Sequence, residues 1–455
     1  MIHHGNPRHP YRPHRARPVG TGNYPRVVRW RGILTGLPAV AVTYAVLRAL
    51  AVAGLPAARF PDSTGYLTLD LSTPIDRPFP VPLLYALAGS DTGRVALQVA
   101  AGVAAWVWLA HELSSASRRP GTVRWATVVI GLTPQVIRFD QAILAESLTV
   151  SAGVALVAAT VRAAAAPRGY TSSPAWVTML VVFTLVRPHH VLLLLAVASV
   201  VALRSVRTRR LPGLFGAVIM LSAAVGVMQV QANKPTSNLN MYTVLSERIV
   251  TDPVRSEWFV KHGMPRIEIV ENMTGYDTPE MLPPELLAYL DLPQGQMPPS
   301  LMRIGGMELA RWVHDDGWST YARYLVAHPS ETWGRLTDLA GPTMDVADDG
   351  FLPLDTRTVV PRVFFVPTVV CMLVTLLGAA LAALRGRRRE AVALVAVLAG
   401  ALTLYAVAML TSGIEHPRHA AVAAVLVRVA ALAGVAQFLA VRVRTDAPSP
   451  ATPVS

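Results

Sequence analysis

Cysteine is all but missing. The single thiol, Cys371, lies inside an apolar run. One cysteine excludes an intrachain disulfide framework and a cysteine-built metal site. Charge is scarce as well: Asp, Glu, Lys and Arg make up 15% of the chain, where soluble domains carry about 25%. Lysine is reduced to Lys234 and Lys261, so nearly all positive charge is arginine. No internal repeat is visible. What is plentiful is apolar surface, with 52% hydrophobic residues and a mean hydropathy of +0.41. Several runs reach the roughly 20 residues that cross a bilayer as helix. The net charge of +13 points away from nucleic acid, because the arginine clusters fall between apolar runs, as positive charge does in cytoplasmic loops.

The order of these runs predicts an all-α integral membrane protein. It has about ten transmembrane helices and a mostly helical extracytoplasmic insert. Residues 1–32 are rich in Arg, His and Pro and read as a disordered cytoplasmic tail that buries too little apolar surface to order. Its histidines read as solvated tail and not as a metal tract. The stretch is too long and polar for a cleavable leader, so the first helix is expected to be a retained anchor. The N-terminal membrane body covers 33–230, beginning with a helix at about 33–55. An outer loop, 56–93, follows. Its prolines at 56, 61, 74, 78, 80 and 82 forbid one long helix, and its apolar patch at 81–87 reads as a short interfacial helix. Further helices are expected at about 94–113, 125–136, 142–161 and 211–230. Between the last two, 176–203 is broken into halves by Arg187-Pro188-His189-His190, since a charged break in lipid is costly unless shielded. Residues 231–358 change character: apolar runs vanish, and acidic residues exceed basic ones by about eight. This is the soluble outer insert, with helical spacing over 307–328. Residues 359–444 carry the last three helices, at about 360–384, 391–410 and 420–441, and 445–455 read as a disordered tail. Ten crossings place both termini in the cytoplasm and every strong arginine cluster on that side.

This topology gathers polar groups at the outer face. Asp62 follows the first helix, with Tyr66 four residues on. Arg138, Asp140 and Glu146 surround the turn before the fourth helix. Arg187, His189 and His190 lie in the broken segment, Lys234 follows the seventh helix, and Glu415, His416 and Arg418 precede the last. A carboxylate among cations at a membrane surface suits one chemistry. The cations hold a lipid phosphate, and the carboxylate takes a proton from a hydroxyl acceptor. Cations also stabilise the charge that develops on a departing phosphate.

The stretch Phe60 to Tyr66, Phe-Pro-Asp-Ser-Thr-Gly-Tyr, resembles the first-loop acidic motif of the glycosyltransferase C superfamily. These are polytopic enzymes that use lipid-phosphate sugars, the protein mannosyltransferase-like group among them. Ile143-Leu-Ala-Glu-Ser-Leu148, the helix ending in Arg187-Pro188, and the turn Glu415-His-Pro-Arg418 are similar to segments of the same family. The resemblance covers the membrane body and not 231–358. It implies a bacterial enzyme of the cytoplasmic (cell) membrane, with an extracytoplasmic active site. The reaction it implies moves a sugar from a polyprenyl-phosphate donor to a hydroxyl acceptor of the cell envelope: glycan, lipid or protein. Asp62 is then the catalytic base candidate, with Glu146 a second catalytic candidate. Tyr66, Arg138, Arg187, His189, His190, Lys234, His416 and Arg418 are candidates for substrate and phosphate binding. Many members carry a second acid beside the first. Here Ser63 stands in that place, and the second acid is sought among Asp70, Asp76, Asp140 and Glu146. No cofactor is implied; a divalent metal is compatible with this chemistry but not indicated.

Plainer roles compete with each assignment. Asp62 suits the N-cap of an interfacial helix, and Glu146 complements a helix dipole. Arg187 suits a snorkelling interface residue. Arg48 and Arg428, inside apolar helices, are functional by default or structurally paired. At the level of the whole protein, the alternatives are a membrane transporter or lipid flippase and a non-catalytic membrane scaffold. A transporter would show repeats and midplane binding residues, whereas the ionisable groups here gather at helix ends.

Overall fold

The computed structural model describes residues 35–69, 77–115, 117–166, 173–187, 190–208, 213–232, 234–268, 275–290, 292, 297–346, 354 and 356–440. The two expected tails, and with them Asp70, Asp76 and His189, lie outside these residues.

Every regular element among the described residues is helical. The N-terminal half contains α1 Leu37–Val52, α2 Ser63–Leu67, α3 Pro80–Ala88, α4 Asp91–Ser115, α5 Pro120–Gly131, α6 Glu146–Ala165, α7 Pro174–Leu185, α8 Val191–Thr208 and α9 Leu214–Ala232. The insert contributes α10 Lys234–Val244, α11 Pro253–Lys261, α12 Pro284–Leu290, α13 Ser300–Trp312, α14 Trp318–Ala327 and α15 Pro329–Ala340. Three long helices close the chain: α16 Thr368–Leu384, α17 Arg388–Thr411 and α18 His416–Leu439. Six helices are long and apolar enough to cross a membrane: α4, α6, α8, α16 with the 3-10 turn before it, α17 and α18. Proline opens α3, α5, α7, α11, α12 and α15, where its missing N–H leaves no bond unmade.

Two boundaries beside the site differ from the sequence expectation, and α16 starts only at Thr368, behind the 3-10 turn Arg362–Phe364, against the expected 360. The third run is helical from Pro120 to Gly131, because Pro134 starts a separate turn, Pro134–Ile137, followed by the 3-10 turn Arg138–Gln141. The fourth helix starts at Glu146, four residues after the expected 142. There the chain is extended and pairs with Ala58: the Ala58 N–H donates to the Gln141 carbonyl, and the Ile143 N–H donates to the Ala58 carbonyl, each at 2.9 Å.

The bundle is organised around α6 and α18. In each, 78% of the spanning window is buried inside the protein, against 12% of α8. Their sequences explain this. Both are rich in Ala, Val and Gly with no polar stripe, so every face accepts a neighbour. α18 packs on α16 and α17, and α6 on α4. Where α16 crosses α18, a Cβ on Gly378 would lie 2.5 Å from the Gly434 Cα; only glycine permits that backbone approach.

The insert has its own core around Phe259, Trp312, Tyr321 and Tyr324. Its expected helical stretch at 307–328 is α13 and α14, joined by a π-helical turn, Val313–Gly317. Arg248 fastens the insert to the bundle. It donates to the Met409 and Leu410 carbonyls at 2.9 and 3.1 Å, which belong to the last turn of α17, where carbonyls lack helical partners. Asp345 is a second anchor. It accepts from the Thr368 N–H at 2.7 Å at the start of α16 and from Arg428 of α18 at 2.8 Å.

Candidate functional site

The bridge between Ala58 and Ala142 positions the site. These two residues run parallel, and each is followed four positions later by a carboxylate, Asp62 on one strand of the bridge and Glu146 on the other. Two side chains lock the arrangement. Gln98 of α4 donates to the carbonyls of Asp140 and Ala142 at 3.1 and 2.9 Å. Tyr85 of α3 donates to the Leu144 carbonyl at 2.6 Å. The apolar patch expected to be helical at 81–87 does form a helix, Pro80–Ala88, and it clamps the approach to Glu146.

Arg418, in the first turn of α18, joins the carboxylates. Its Nη2 donates to Asp62 at 2.8 Å, its Nε to Glu146 at 2.6 Å and its Nη1 to Glu415 at 2.6 Å. Arg77 donates to the other oxygen of Asp62 at 2.8 Å, and Arg187 donates to the same Glu146 oxygen that Arg418 uses. The Arg77 guanidinium lies over the Tyr66 ring, 5.1 Å from its centroid. Burial opposes the charge of Arg77, but Asp62, Tyr66 and Glu146 together outweigh it and raise the pKa above the ordinary arginine value. His419, one turn into α18, has Nε2 3.9 Å from Glu415.

Three carboxylates and three guanidiniums thus interlock at one end of the bundle. Two atoms in this network are buried and have no hydrogen-bond partner among the described residues: Oε2 of Glu146 and Nε of Arg187. An orphaned acceptor and an orphaned donor side by side mark a place where a polar ligand fits. A cleft of about 370 Å³ opens on this network. Tyr66, Arg77, Arg187 and His419 line its polar side, and Val186, Val191, Leu192 and Val407 line an apolar one.

The N-cap reading of Asp62 fails. Asp62 precedes α2 with helical backbone angles and makes no capping bond, because its oxygens face arginines. Ser63, in the position of the expected second acid, accepts from the Phe60 N–H at 2.9 Å and shapes the turn. Of the acids considered beside it, Glu146 is the one among the described residues that Arg418 links to Asp62. Asp140 is bound elsewhere. Arg48 grips both its oxygens at 2.7 and 2.8 Å, Ser147 donates to it at 2.6 Å, and Arg48 also donates to Tyr44 at 2.6 Å. This buried pair fixes α1 against the turn before α6. A Cβ on Gly102 would lie 2.2 Å from the Arg48 guanidinium carbon, so glycine in α4 makes its room. Arg428 is likewise structural, paired with Asp345 and stacked 4.0 Å over Phe365.

The remaining candidates divide. Arg138 sits on the turn before α6 with its guanidinium over the Phe139 ring at 4.7 Å. His190 is buried; its Nδ1 bonds to the Phe183 carbonyl at 3.0 Å and its ring stacks on Phe183. His416 is turned toward the insert, where Arg248 and Arg335 reach its Nε2 at 3.0 and 3.1 Å. Lys234 opens α10, and its side chain, like all of His189, lies outside the description. Among the described residues no three His, Cys, Asp or Glu side chains gather as metal ligands; the cation between the carboxylates is a guanidinium. Sequence reasoning missed Arg77 and His419. Arg77 carried no signal beyond its place in the first loop, whereas His419 lies on the helical face of Arg418 and Glu415.

Compared with known proteins, the chain matches no family model, no curated protein and no solved structure.

Proposed function

We propose that the protein is a membrane glycosyltransferase that moves a sugar from a polyprenyl-phosphate carrier to a hydroxyl acceptor on the outer side of the cytoplasmic membrane. The observation that carries this reading is the cleft beside the network. It combines a cationic wall, Arg77 and Arg187, with an apolar wall of Val186, Val191, Leu192 and Val407. A lipid phosphate needs that pairing: guanidiniums for the phosphate and an apolar surface for the chain. The resemblance at Phe60–Tyr66 points the same way.

In this mechanism the donor phosphate enters beside Arg187 and Arg418 and competes with Asp62 for Arg77 and Arg418. One Asp62 oxygen is freed and accepts the proton of the acceptor hydroxyl. The acceptor oxygen bonds to the anomeric carbon, the bond from that carbon to the phosphate oxygen breaks, and its electron pair leaves on the lipid phosphate. The arginines stabilise this charge in a site shielded from water. Glu146 holds Arg187 and Arg418 in place and offers its free oxygen to a sugar hydroxyl.

The topology belongs to the same proposal. Six long apolar helices, the shorter apolar α1, α7 and α9, and α5 give ten crossings with both termini in the cytoplasm. The end opposite the site carries Arg162, Arg385, Arg387 and Arg389 around Glu112, Glu390 and Gln437, the arginine enrichment expected of a cytoplasmic face.

The test compares wild type with Asp62→Ala and Asp62→Asn in membranes supplied with radiolabelled polyprenyl-phosphate sugars. Transfer in wild type, lost in both variants at equal protein level, supports the base and names the donor. Transfer that survives both substitutions removes Asp62 from the chemistry, and no transfer from any such donor sinks the proposal.

A further inference from the structure

A second cleft, of about 410 Å³, lies within the insert, beside the contacts of Arg248 and Arg335 with His416. It is lined by Arg248, Arg255, Tyr321, Tyr324 and Arg335, among others. Its arginines are unequally paired. Arg255 is satisfied by Glu331 at 2.5 Å and by Asp252 at 3.4 Å, and the other oxygen of Glu331 accepts from Tyr324. Arg248 and Arg335 have no such partner. Arg248 donates to Tyr321 at 3.1 Å, to two backbone carbonyls and to His416. Arg335 donates to His416. Every one of these acceptors is neutral, and His416, receiving two donors on one nitrogen, must be so as well.

Among the described residues, then, these two guanidiniums share a cavity without a carboxylate in ion-pair contact with either; Glu331, which also lines it, is held by Arg255 and Tyr324. Arg248 is only 5% exposed, and the Nε atoms of both arginines are buried without a partner. Burial pulls Arg248 down to about 10, against support from Tyr321 and with Arg335 adding to the fall. Asp338, one turn along α15 from Arg335, also lines the cleft but is exposed and forms no ion pair. A buried charge without a counter-ion is costly, and a cavity beside two of them is filled most favourably by an anion. Two uncompensated charges match a phosphate monoester, which carries about −1.5 to −2 at neutral pH, better than a carboxylate. The guanidinium fork binds phosphate oxygens in pairs.

We propose that this cleft is a second anion site that holds a phosphate monoester between Arg248 and Arg335, separate from the Asp62 network. The phosphate is either the head group of a membrane lipid or free in solution.

The experiment uses the full chain purified in a non-ionic detergent, with calorimetric titration of inorganic phosphate, octyl phosphate and octanoate. The expected result is binding of octyl phosphate that weakens tenfold or more in Arg335→Gln and in Arg248→Lys. Part of that binding persists in Arg187→Gln, which disables the first site. Among the described residues the hydrogen bond that Arg335→Gln removes is the one to His416, so its fold is expected to survive, and Arg248→Lys keeps a cation where the insert is anchored. Octyl phosphate binding well above inorganic phosphate assigns the site to a lipid head group, and equal binding assigns it to a soluble phosphate. No binding of either phosphate probe overturns the proposal. So does binding unchanged in both variants, binding abolished by Arg187→Gln alone, or octanoate binding as tightly as octyl phosphate.

Discussion

Neutralising each of the two linked carboxylates in turn separates structure from chemistry. Glu146 is fully buried and is, among the described residues, the only carboxylate on Arg187, which is itself 7% exposed. Glu146→Gln leaves Arg187 buried without a counter-charge. Breaking such a pair costs about 3–5 kcal/mol, and because Gln keeps one acceptor oxygen the lower end applies, about 3 kcal/mol. Asp62 has a side chain 22% exposed, and when it is neutralised Arg418 retains Glu146 and Glu415, while Arg77, 13% exposed, loses its carboxylate but keeps the Asn oxygen as an acceptor. Water screens what remains, so Asp62→Asn costs about 1 kcal/mol. At about 2 °C per kcal/mol for a large domain, the melting midpoint falls by about 6 °C in the first variant and about 2 °C in the second. Activity runs otherwise. Asn cannot accept the proton, so Asp62→Asn loses the general-base contribution, about 10²–10⁴-fold, while remaining almost as stable as wild type. The assay is a thermal melt of the purified full chain in detergent, paired with sugar transfer in membranes. An Asp62→Asn midpoint lowered as far as that of Glu146→Gln would refute the division of roles, as would a Glu146→Gln protein that melts with wild type.

Two further outcomes test the packing and the insert. Gly102→Ala places a methyl 2.2 Å from the Arg48 guanidinium, which Asp140 and Tyr44 hold in place. It is expected to cost about 3 kcal/mol, the upper end for overpacking. Gly400→Ala meets only a Leu193 methyl at 3.8 Å and is expected to be neutral or to stabilise by up to about 1 kcal/mol; melting midpoints that move together in these two variants contradict the steric account. Burial raises the pKa of Glu247, against support from Arg248. A folded-state pKa above the unfolded one gives stability at acid pH that is lost as pH rises through it. Glu247→Gln is therefore expected to be more stable than wild type at pH 7 and no different near pH 4, in melts at the two pH values. A variant less stable at pH 7 rules this out.

Much of the molecule was legible in its composition. Apolar runs of bilayer length and the arginine between them are local signals, each set by a few neighbouring residues, and they placed most of the long helices to within a few positions. The same local chemistry picked out Asp62, Glu146, Arg187 and Arg418, because charge beside a lipid-length helix is costly and stands out. Their partnership was not legible. Arg418 reaches Asp62 across 356 residues and Glu146 across 272, and only the packing of α18 against α6 sets those distances. The start of α6 moved because 142–145 pairs with Ala58, a contact that no periodicity encodes. Tertiary structure also decided between equals. Asp140 and Glu146 are both acids near one turn, yet Arg48 takes the first for the fold and Arg418 takes the second into the network with Asp62. His416 and Arg418 sit two residues apart, but the helix turn sends one toward the insert and the other to Asp62. Sequence determines which residues carry charge into the membrane; the packing of helices distant along the chain determines which charges meet, because an ion pair depends on separation in space and not along the chain.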